Sequence, residues 1–256
     1  MKPNHNKYLV MVPTYNERES IGGLLKDLTD NDFNILVIDD NSPDGTAEYV
    51  KSLNLKNVKI LNREKKDGLG NAYKDGIKNA LNSSTWTFDF LISMDGDGSH
   101  QVADLINMVK ALEQRPNASL VLGSRWVPGG AIRNWNRYRI WLSKAGTRYA
   151  RWALKLPIKD LTGGFRIYSK KALERIDLNQ IESNGYSYQI EMAFAINHLN
   201  QFNLSEVLEV PITFIERESG VSKMSSKVVF EAIWKVTKLG LGLRLRPNAD
   251  KLHYVK

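Results

Sequence analysis

The sequence predicts an α/β protein with a mainly parallel central sheet flanked by helices. Strand-like apolar runs alternate with helix-like segments through the first half of the chain, and polar or acidic turns follow the runs that end at Val12, Ile38 and Met94. Alternation at this spacing is typical of βαβ units, in which a crossover helix connects two parallel strands of one sheet.

Five strands and four helices are predicted in the first half of the chain. Pro13 stops the first strand, and the turn Asn41-Ser-Pro-Asp-Gly45 ends the second. The tetrapeptide Asn16-Glu-Arg-Glu19 resembles a capping box that opens a helix reaching to about Asp30. Strands are expected over residues 7–12, 35–38, 58–62, 88–94 and 119–123. The other helices are expected over residues 46–53, 71–81 and 102–114.

The second half of the chain is less regular. Aromatic and aliphatic residues at three- and four-residue spacing predict one amphipathic helix over residues 134–156. A loop is expected over residues 160–166, and a helix over residues 186–198. A strand is expected over residues 204–215 with a break at Pro211, followed by a basic amphipathic helix over residues 226–243.

Composition limits the chemistry that the chain can perform. Its 256 residues include no cysteine, so disulfides, thiolate metal sites and a cysteine nucleophile are excluded. The polar N-terminus lacks a signal-peptide pattern, and no stretch approaches the roughly 18 uninterrupted apolar residues of a membrane span. We therefore expect a chain that does not cross a membrane by itself.

Basic charge is concentrated in one stretch that is also rich in tryptophan. The net charge is +8, and residues 125–155 carry eight basic and no acidic side chains, together with four of the six tryptophans. This balance favours an anionic partner, which could be a nucleic acid, an anionic lipid or a phosphorylated substrate.

Two carboxylates separated by one glycine, Asp95-Gly96-Asp97, follow the fourth predicted strand. Ligands of open α/β sheets bind outside the carboxyl ends of the strands. Mg²⁺ commonly bridges one or two carboxylates to substrate phosphates. The position therefore suggests a metal ion that holds a nucleotide diphosphate, although a D-x-D triplet also arises by chance.

Two further strand ends open onto the same edge of the predicted sheet. Pro13-Thr-Tyr-Asn-Glu17 follows the first strand, and Asp39-Asp40 follows the second. Tyr15 can stack on a nucleobase, and Asp40 can accept hydrogen bonds from a base or a ribose. The alternative is that these segments are only a helix cap and a turn. No P-loop pattern is present, which favours metal and arginine for diphosphate binding.

Seven segments occur in the order seen in a known family. They are Pro13-Thr-Tyr-Asn-Glu17, Asp39-Asp-Asn-Ser-Pro-Asp-Gly-Thr46, Arg63-Glu-Lys-Lys-Asp-Gly-Leu-Gly70, Asp95-Gly-Asp97 with Ser99-His100, Gly123-Ser-Arg125, Asp160-Leu-Thr-Gly-Gly-Phe-Arg166 and Glu216-Arg-Glu-Ser-Gly-Val-Ser-Lys223. From about residue 8 to about residue 240, the chain resembles the polyprenol-phosphate (dolichol-phosphate) mannosyltransferases, catalytic-subunit type, of glycosyltransferase family 2. The resemblance implies a GT-A (Rossmann-like) fold with a C-terminal amphipathic helix.

The resemblance also implies the site residues. Nucleotide-sugar contacts are implied for Pro13, Tyr15, Glu17, Ile38, Asp40, Asp95, Gly96, Asp97, Arg125, Arg217 and Lys223. The implied catalytic residues are Asp97, Arg125 and Arg217. Asp95 and Asp97 are the implied ligands of Mg²⁺ or Mn²⁺, with Ser99 as a further candidate. Arg139 and Ser143 match the residues that are expected from the resemblance to bind the acceptor phosphate. Their i and i+4 spacing places both on one helix face.

The implied activity is inverting transfer of mannose from GDP-mannose to a polyprenyl phosphate. A phosphomonoester is already ionised at neutral pH, so the acceptor needs no general base. The enzyme mainly has to position the acceptor and stabilise the departing diphosphate. Asp160 is expected to orient Arg139 or a sugar hydroxyl, or to make a structural hydrogen bond near Thr162.

One domain over residues 1–256 is expected, with a nucleotide-binding half (1–100), an acceptor half (101–225) and a basic C-terminal helix and tail (226–256). The expected partners are GDP-mannose, a polyprenyl phosphate lipid, the cytoplasmic face of a membrane and a small membrane-anchored subunit, but no nucleic acid. Three alternatives stay open: a glucosyltransferase using UDP-glucose or another nucleotide sugar, a basic nucleic-acid-binding protein, and an inactive nucleotide-sugar sensor.

Overall fold

A seven-stranded, mostly parallel sheet lies at the centre of the computed structural model, which describes residues 7–199, 206–216, 226–245 and 254–255. Among these residues the strands are β1 (Tyr8–Thr14), β2 (Asn34–Asp39), β3 (Val58–Asn62), β4 (Phe90–Ser93), β5 (Leu120–Ser124), β6 (Ala131–Arg133), β7 (Arg166–Ser169), β8 (Val207–Pro211) and β9 (Thr213–Ile215). The large sheet has the order β3-β2-β1-β4-β7-β5-β8, and β6 pairs with β9 in a separate small sheet. The predicted α/β class with a mainly parallel sheet is confirmed.

Helices cover both faces of this sheet. They are α1 (Ile21–Asp30), α2 (Thr46–Ser52), α3 (Leu69–Asn82), α4 (Val102–Gln114), α5 (Arg137–Leu154), α6 (Lys170–Arg175), α7 (Tyr186–Asn197) and α8 (Ser226–Leu245). Successive side chains of a strand point to opposite faces of the sheet, so each strand contributes side chains to two hydrophobic cores. In β1, Leu9 and Met11 pack with residues of α3 and α7, whereas Val10 and Val12 pack with residues of α1 and α4.

An antiparallel strand interrupts the parallel sheet. β7 lies between β4 and β5 and runs antiparallel to both, while the other neighbouring strand pairs are parallel. No strand is predicted from the sequence at β7, because this buried four-residue segment begins with an arginine and shows no alternation of polar and apolar residues. β7 places the loop over residues 160–165 next to the carboxyl end of β4, where Asp95 and Asp97 follow.

The predicted capping box at Asn16 is wrong. Helix α1 begins at Ile21, and Asn16 has a left-handed backbone with φ of 59°. The backbone N–H of Asn16 donates to Ser42 Oγ at 3.1 Å, and that of Arg18 donates to Asp44 Oδ2 at 3.1 Å. The turn after β2 therefore satisfies these donors and holds the segment after β1 outside the helix.

The C-terminal part of the described chain packs across α5 and α7. Helix α8 contacts both helices, and Tyr149 of α5 hydrogen-bonds Thr237 of α8 at 2.7 Å between hydroxyl oxygens. Tyr254 is buried and donates its hydroxyl to Glu191 Oε1 at 2.8 Å. Within the described parts of the chain, no helix combines the length and apolar character that a membrane span requires.

Candidate functional site

A cleft of about 700 Å³ extends from the carboxyl ends of β1 and β4 to the space between α5 and α8. The site residues of the sequence analysis that line it are Pro13, Glu17, Asp95, Gly96, Asp97, Ser99, Arg125, Arg139 and Ser143. Tyr15, Ile38 and Asp40 are not among its lining residues. Arg217 and Lys223 lie outside the described residues, so the structure does not test their predicted roles.

The acidic pair is held by hydrogen bonds from the surrounding elements. Tyr73 donates its hydroxyl to Asp95 Oδ1 at 3.2 Å, and the Ser99 N–H donates to Asp97 Oδ1 at 3.1 Å. The Asp95 N–H donates to His100 Nδ1 at 3.1 Å, and the buried His100 ring stacks on Phe165. Burial lowers the pKa of His100, which agrees with an unprotonated Nδ1 that accepts this bond.

The donor atoms at this end of the cleft fit a hard divalent cation. Asp95 and Asp97 supply carboxylate oxygens, and Ser99 Oγ is buried with no hydrogen-bond partner among the described residues. The described residues contain no group of three or more histidine, cysteine, aspartate or glutamate side chains that could hold a metal ion. The protein would therefore supply few ligands, which suits Mg²⁺ or Mn²⁺ bound together with substrate phosphates.

The carboxylate of Asp40, which follows β2, accepts a hydrogen bond from Arg63, which follows β3. Arg63 donates to Asp40 Oδ1 at 2.5 Å, and it also bonds Asp67 at 2.5 Å and Asp75 at 2.8 Å. Burial raises the pKa of Asp40, and the bond from Arg63 opposes that shift. A base or ribose group that donates a hydrogen bond to Asp40 would therefore have to share the carboxylate with Arg63.

Tyr15 and Ile38 are the other two predicted nucleoside contacts that lie outside the cleft, and they differ in which atoms could contact a nucleoside. Lys66 Nζ lies 3.6 Å from the centroid of the Tyr15 ring, so one face of that ring carries a cation. The Ile38 side chain is fully buried in the core, and a Cβ added at Gly76 of α3 would lie 2.3 Å from Ile38 Cδ1. Ile38 can therefore reach a ligand only through its backbone.

Arg125 lies in the wall of the cleft and is fixed by Asp160. The Arg125 backbone N–H and Nε both donate to Asp160 Oδ2, at 2.9 and 2.7 Å, and Nη2 donates to Oδ1 at 2.7 Å. Nη2 also donates to Thr162 Oγ1 at 2.9 Å. Burial alone would raise the pKa of Asp160, but the charge and hydrogen bonds of Arg125 lower it overall. Of the partners expected for Asp160, Arg139 is not the one it bonds; it bonds Arg125, which in turn bonds Thr162.

Arg139 and Ser143 lie side by side on one face of α5, as their spacing predicts. Ser143 Oγ is 3.5 Å from Thr162 Oγ1, which places it next to the loop that also contacts Arg125. Arg139 is stacked on Trp135, 4.1 Å from the ring centroid, and its Nη1 forms an ion pair with Glu216. The pairing of Glu216 with Arg139 could not be predicted from local sequence, because the two residues are 77 positions apart.

A buried arginine shapes the loop between these groups. Arg166 is fully buried and donates from Nε to the Gly163 carbonyl at 2.8 Å and from Nη2 to the Leu161 carbonyl at 2.8 Å. Its Nη1 donates to the Gln189 carbonyl of α7 at 2.6 Å. The loop is thereby fixed against α7, and its residues Thr162, Gly163 and Gly164 line the cleft.

The other end of the cleft is apolar. Helix α5 contributes Leu142, Ala145, Gly146 and Tyr149 to the lining, and helix α8 contributes Ala232, Ile233 and Val236. Large apolar side chains on the same two helices are exposed to solvent: Tyr138, Trp141, Trp152, Ile233, Trp234, Leu241 and Leu245. The cleft therefore connects a polar, acidic end to an apolar end bordered by exposed aromatic rings.

A mainly parallel α/β sheet with an acidic pair at its carboxyl edge and an arginine-containing cleft beside it defines the GT-A class of transferase fold. Residues 9–177 match the family described as Glycosyl transferase family 2. The chain belongs to glycosyl transferase family 2.

Similar proteins cover nearly the whole chain. It is 43% identical over 242 residues to the undecaprenyl-phosphate mannosyltransferase of Micrococcus luteus, covering 93% of this chain and 96% of that protein. It is 42% identical over 243 residues to the polyprenol monophosphomannose synthase of Mycolicibacterium smegmatis, with coverage of 93% and 88%. It is 34% identical to the dolichol-phosphate mannosyltransferase of Pyrococcus furiosus, covering 91% of this chain and 63% of that protein.

A solved structure supports the fold alone. The crystal structure of GalNAc-T7 with UDP, GalNAc and Mn²⁺ has a TM-score of 0.54 at 14% identity and covers 95% of this chain and 52% of that chain.

Proposed function

We propose that this chain is an inverting transferase that moves mannose from GDP-mannose to a polyprenyl or dolichyl phosphate. The observation that carries the proposal is that one cleft joins three kinds of surroundings. Asp95, of the acidic pair with Asp97, lies beside Gly164; Ser143, on one helix face with Arg139, lies beside Thr162 of the same loop; and an apolar lining from α5 and α8 continues the cleft. A nucleotide diphosphate, a phosphate and a hydrocarbon chain need these three surroundings. The names of the mannosyltransferase relatives support mannose as the sugar and a polyprenyl phosphate as the acceptor.

The reaction needs positioning more than proton transfer. The acceptor phosphate is ionised at neutral pH, and its oxygen can attack the anomeric carbon as the bond to the diphosphate breaks. Arg139 and Ser143 would hold that phosphate on α5. Arg125, whose direction is fixed by Asp160, would stabilise the negative charge that develops on the departing diphosphate.

Divalent metal dependence forms part of the proposal. Asp97 would be the main ligand of Mg²⁺ or Mn²⁺, with Asp95 as a second ligand and Ser99 as a further oxygen donor. Such an ion, when bound, neutralises charge on the diphosphate. Glu17 and Pro13 border the same end of the cleft and would face the nucleotide.

The lipid would enter between α5 and α8, where the cleft is apolar. Exposed tryptophans beside arginines and lysines suit a helix pair that rests on an anionic membrane surface. We place this surface on the cytoplasmic face, with a small membrane-anchored subunit as a further partner. No nucleic-acid contact is proposed, because the acidic pair in the cleft would repel a polyanion in the absence of a metal.

The remaining assignments stay predictions. Arg217 would contribute to catalysis, and Lys223 would neutralise phosphate charge. Tyr15, Asp40 and the Ile38 backbone would contact the nucleoside from outside the cleft. We also propose that the chain is one domain with three parts: a nucleotide-binding half (1–100), an acceptor-binding half (101–225) and a C-terminal helix and tail (226–256).

A parallel transfer assay tests this function. Purified protein, a short polyprenyl phosphate and Mg²⁺ or Mn²⁺ are incubated with GDP-mannose or UDP-glucose, and the lipid-linked sugar is measured. Transfer from GDP-mannose is expected, with loss of activity on adding a chelator and on Asp97→Ala. The matched control is Asp30→Ala, at an exposed position of α1. Transfer from UDP-glucose alone would refute the donor assignment, and full activity of Asp97→Ala would refute the metal site.

A further inference from the structure

In the proposed function, on which this inference rests, the diphosphate site and the acceptor-phosphate site together define where the transferred sugar lies. The hexose has to lie between the diphosphate at Asp95 and Asp97 and the acceptor phosphate at Arg139 and Ser143. The loop fixed by Arg166 connects these two regions: its Thr162 lies beside Ser143, and its Gly164 lies beside Asp95. The sugar therefore faces this loop and the residues directly behind it.

Gln189 of α7 is the polar side chain behind that loop. It is only 3% exposed, yet it lines the cleft. Tyr168 donates its hydroxyl to Gln189 Oε1 at 3.5 Å, which orients the amide with its nitrogen turned away from Tyr168. Among the described residues, the buried Gln189 Nε2 has no hydrogen-bond partner. A buried donor without an acceptor is costly, so a ligand that supplies an acceptor has a direct energetic reason to bind there.

The position that a Cβ would take at Gly164 is free of close contacts and lies next to this donor. A Cβ added at Gly164 would lie 3.6 Å from Gln189 Nε2 and 3.6 Å from Asp95 Oδ1. The donor amide and the acceptor carboxylate therefore border one opening at the polar end of the cleft. Hydroxyl groups of a sugar both donate and accept hydrogen bonds, so a hexose can satisfy both neighbours at once.

We propose that Gln189 recognises the transferred hexose by donating a hydrogen bond from Nε2 to one of its hydroxyl groups. The contact makes Gln189 a specificity-determining residue for the sugar rather than for the nucleotide or the lipid. Arg166 holds the Gln189 carbonyl and Tyr168 holds its amide oxygen, so the donor is fixed before the sugar arrives.

Calorimetry with nucleotide and nucleotide sugar tests this contact without relying on turnover. Gln189→Leu and Gln189→Met remove the donor at similar volume, and Ser187→Ala serves as the control for a buried polar residue of the same helix that does not line the cleft. In the presence of Mn²⁺, both Gln189 variants are expected to bind GDP-mannose about tenfold more weakly than the wild-type protein and to bind GDP equally well. Ser187→Ala should bind both ligands like the wild-type protein.

Deoxy analogues then identify the hydroxyl. Kd is measured for GDP-mannose lacking its 2-, 3-, 4- or 6-hydroxyl. One analogue should bind the wild-type protein about tenfold more weakly than GDP-mannose, and the Gln189 variants should show no further loss with that analogue. Equal losses for wild-type protein and variants with all four analogues would overturn the proposal. The proposal would also be overturned if the Gln189 substitutions weakened the binding of GDP and GDP-mannose equally, or if they raised only the KM for polyprenyl phosphate.

Failure of the proposed function would look different. Wild-type protein that transfers glucose from UDP-glucose and ignores GDP-mannose would refute the donor assignment, and the same comparison with UDP and UDP-glucose would still test Gln189.

Discussion

Asp160 accepts three hydrogen bonds from Arg125, one from its backbone N–H and two from its guanidinium group. The Asp160 side chain is fully buried, and that of Arg125 is 6% exposed. The pair fixes the guanidinium group of Arg125 in the wall of the cleft. Removing one member would leave a buried charge without its partner, which is the costly way to break an ion pair.

Asp160→Asn is expected to lower the free energy of unfolding by about 3 kcal/mol, because Arg125 loses its charged partner. Urea denaturation followed by circular dichroism measures this change. Asp30→Asn, at an exposed position of α1, is the control and should leave stability unchanged. A loss smaller than about 1 kcal/mol would mean that Arg125 is stabilised chiefly by its stacking on Trp135 and Phe214.

The same pair predicts a dependence of stability on acid. The native pKa of Asp160 lies below its usual value of 3.8, so the unfolded chain binds a proton more readily at this residue than the native chain does. Its stabilising contribution is therefore complete above about pH 3.8 and is lost as the pH falls through the lowered native pKa. Wild-type protein should lose up to about 1.4 kcal/mol per pH unit more than Asp160→Asn in that window. Urea titrations from pH 6 to pH 2.5 measure both slopes, and identical slopes would contradict this assignment.

Arg139→Ala is expected to raise KM for polyprenyl phosphate by about 10- to 100-fold, the effect of one lost charge-assisted hydrogen bond. KM for GDP-mannose should not change, because the proposed nucleotide site lies at Asp95 and Asp97 and does not include Arg139. Arg137→Ala removes an exposed charge two residues earlier on α5 and provides the matched control. A parallel rise in both KM values of Arg139→Ala would indicate that it deforms the cleft instead of removing an acceptor contact.

The exposed tryptophans predict binding to a lipid surface. Trp141, Trp152 and Trp234 are 62 to 64% exposed on α5 and α8. Replacing all three by alanine should weaken binding to phosphatidylcholine vesicles containing phosphatidylglycerol by more than about tenfold, because each buried ring contributes apolar area. Vesicle co-sedimentation measures the affinity. Trp86→Ala, a partly buried ring that contacts Lys59, should bind vesicles like the wild-type protein.

Local patterns predicted the parts of the site whose chemistry lies within one segment. Asp95 and Asp97 follow β4 as expected, and Arg139 and Ser143 share one face of α5 and one cleft. The helix cap predicted at Asn16 was wrong, because side chains of the turn after β2 accept the hydrogen bonds of the Asn16 and Arg18 N–H groups. Local patterns also could not show that the Ile38 side chain belongs to the core.

The sequence alone determined the α/β class, the acidic edge of the sheet and the helix face that carries Arg139 and Ser143, because residue type and short-range period are properties of single segments. Only the tertiary structure decided that Asp160 pairs with Arg125, that Glu216 pairs with Arg139 and that Gln189, whose Nε2 has no hydrogen-bond partner among the described residues, lines the cleft. These contacts join residues far apart in sequence, and the antiparallel β7 positions the loop that contains Asp160. Partner choice in a packed interior depends on distance and burial, which no single segment encodes.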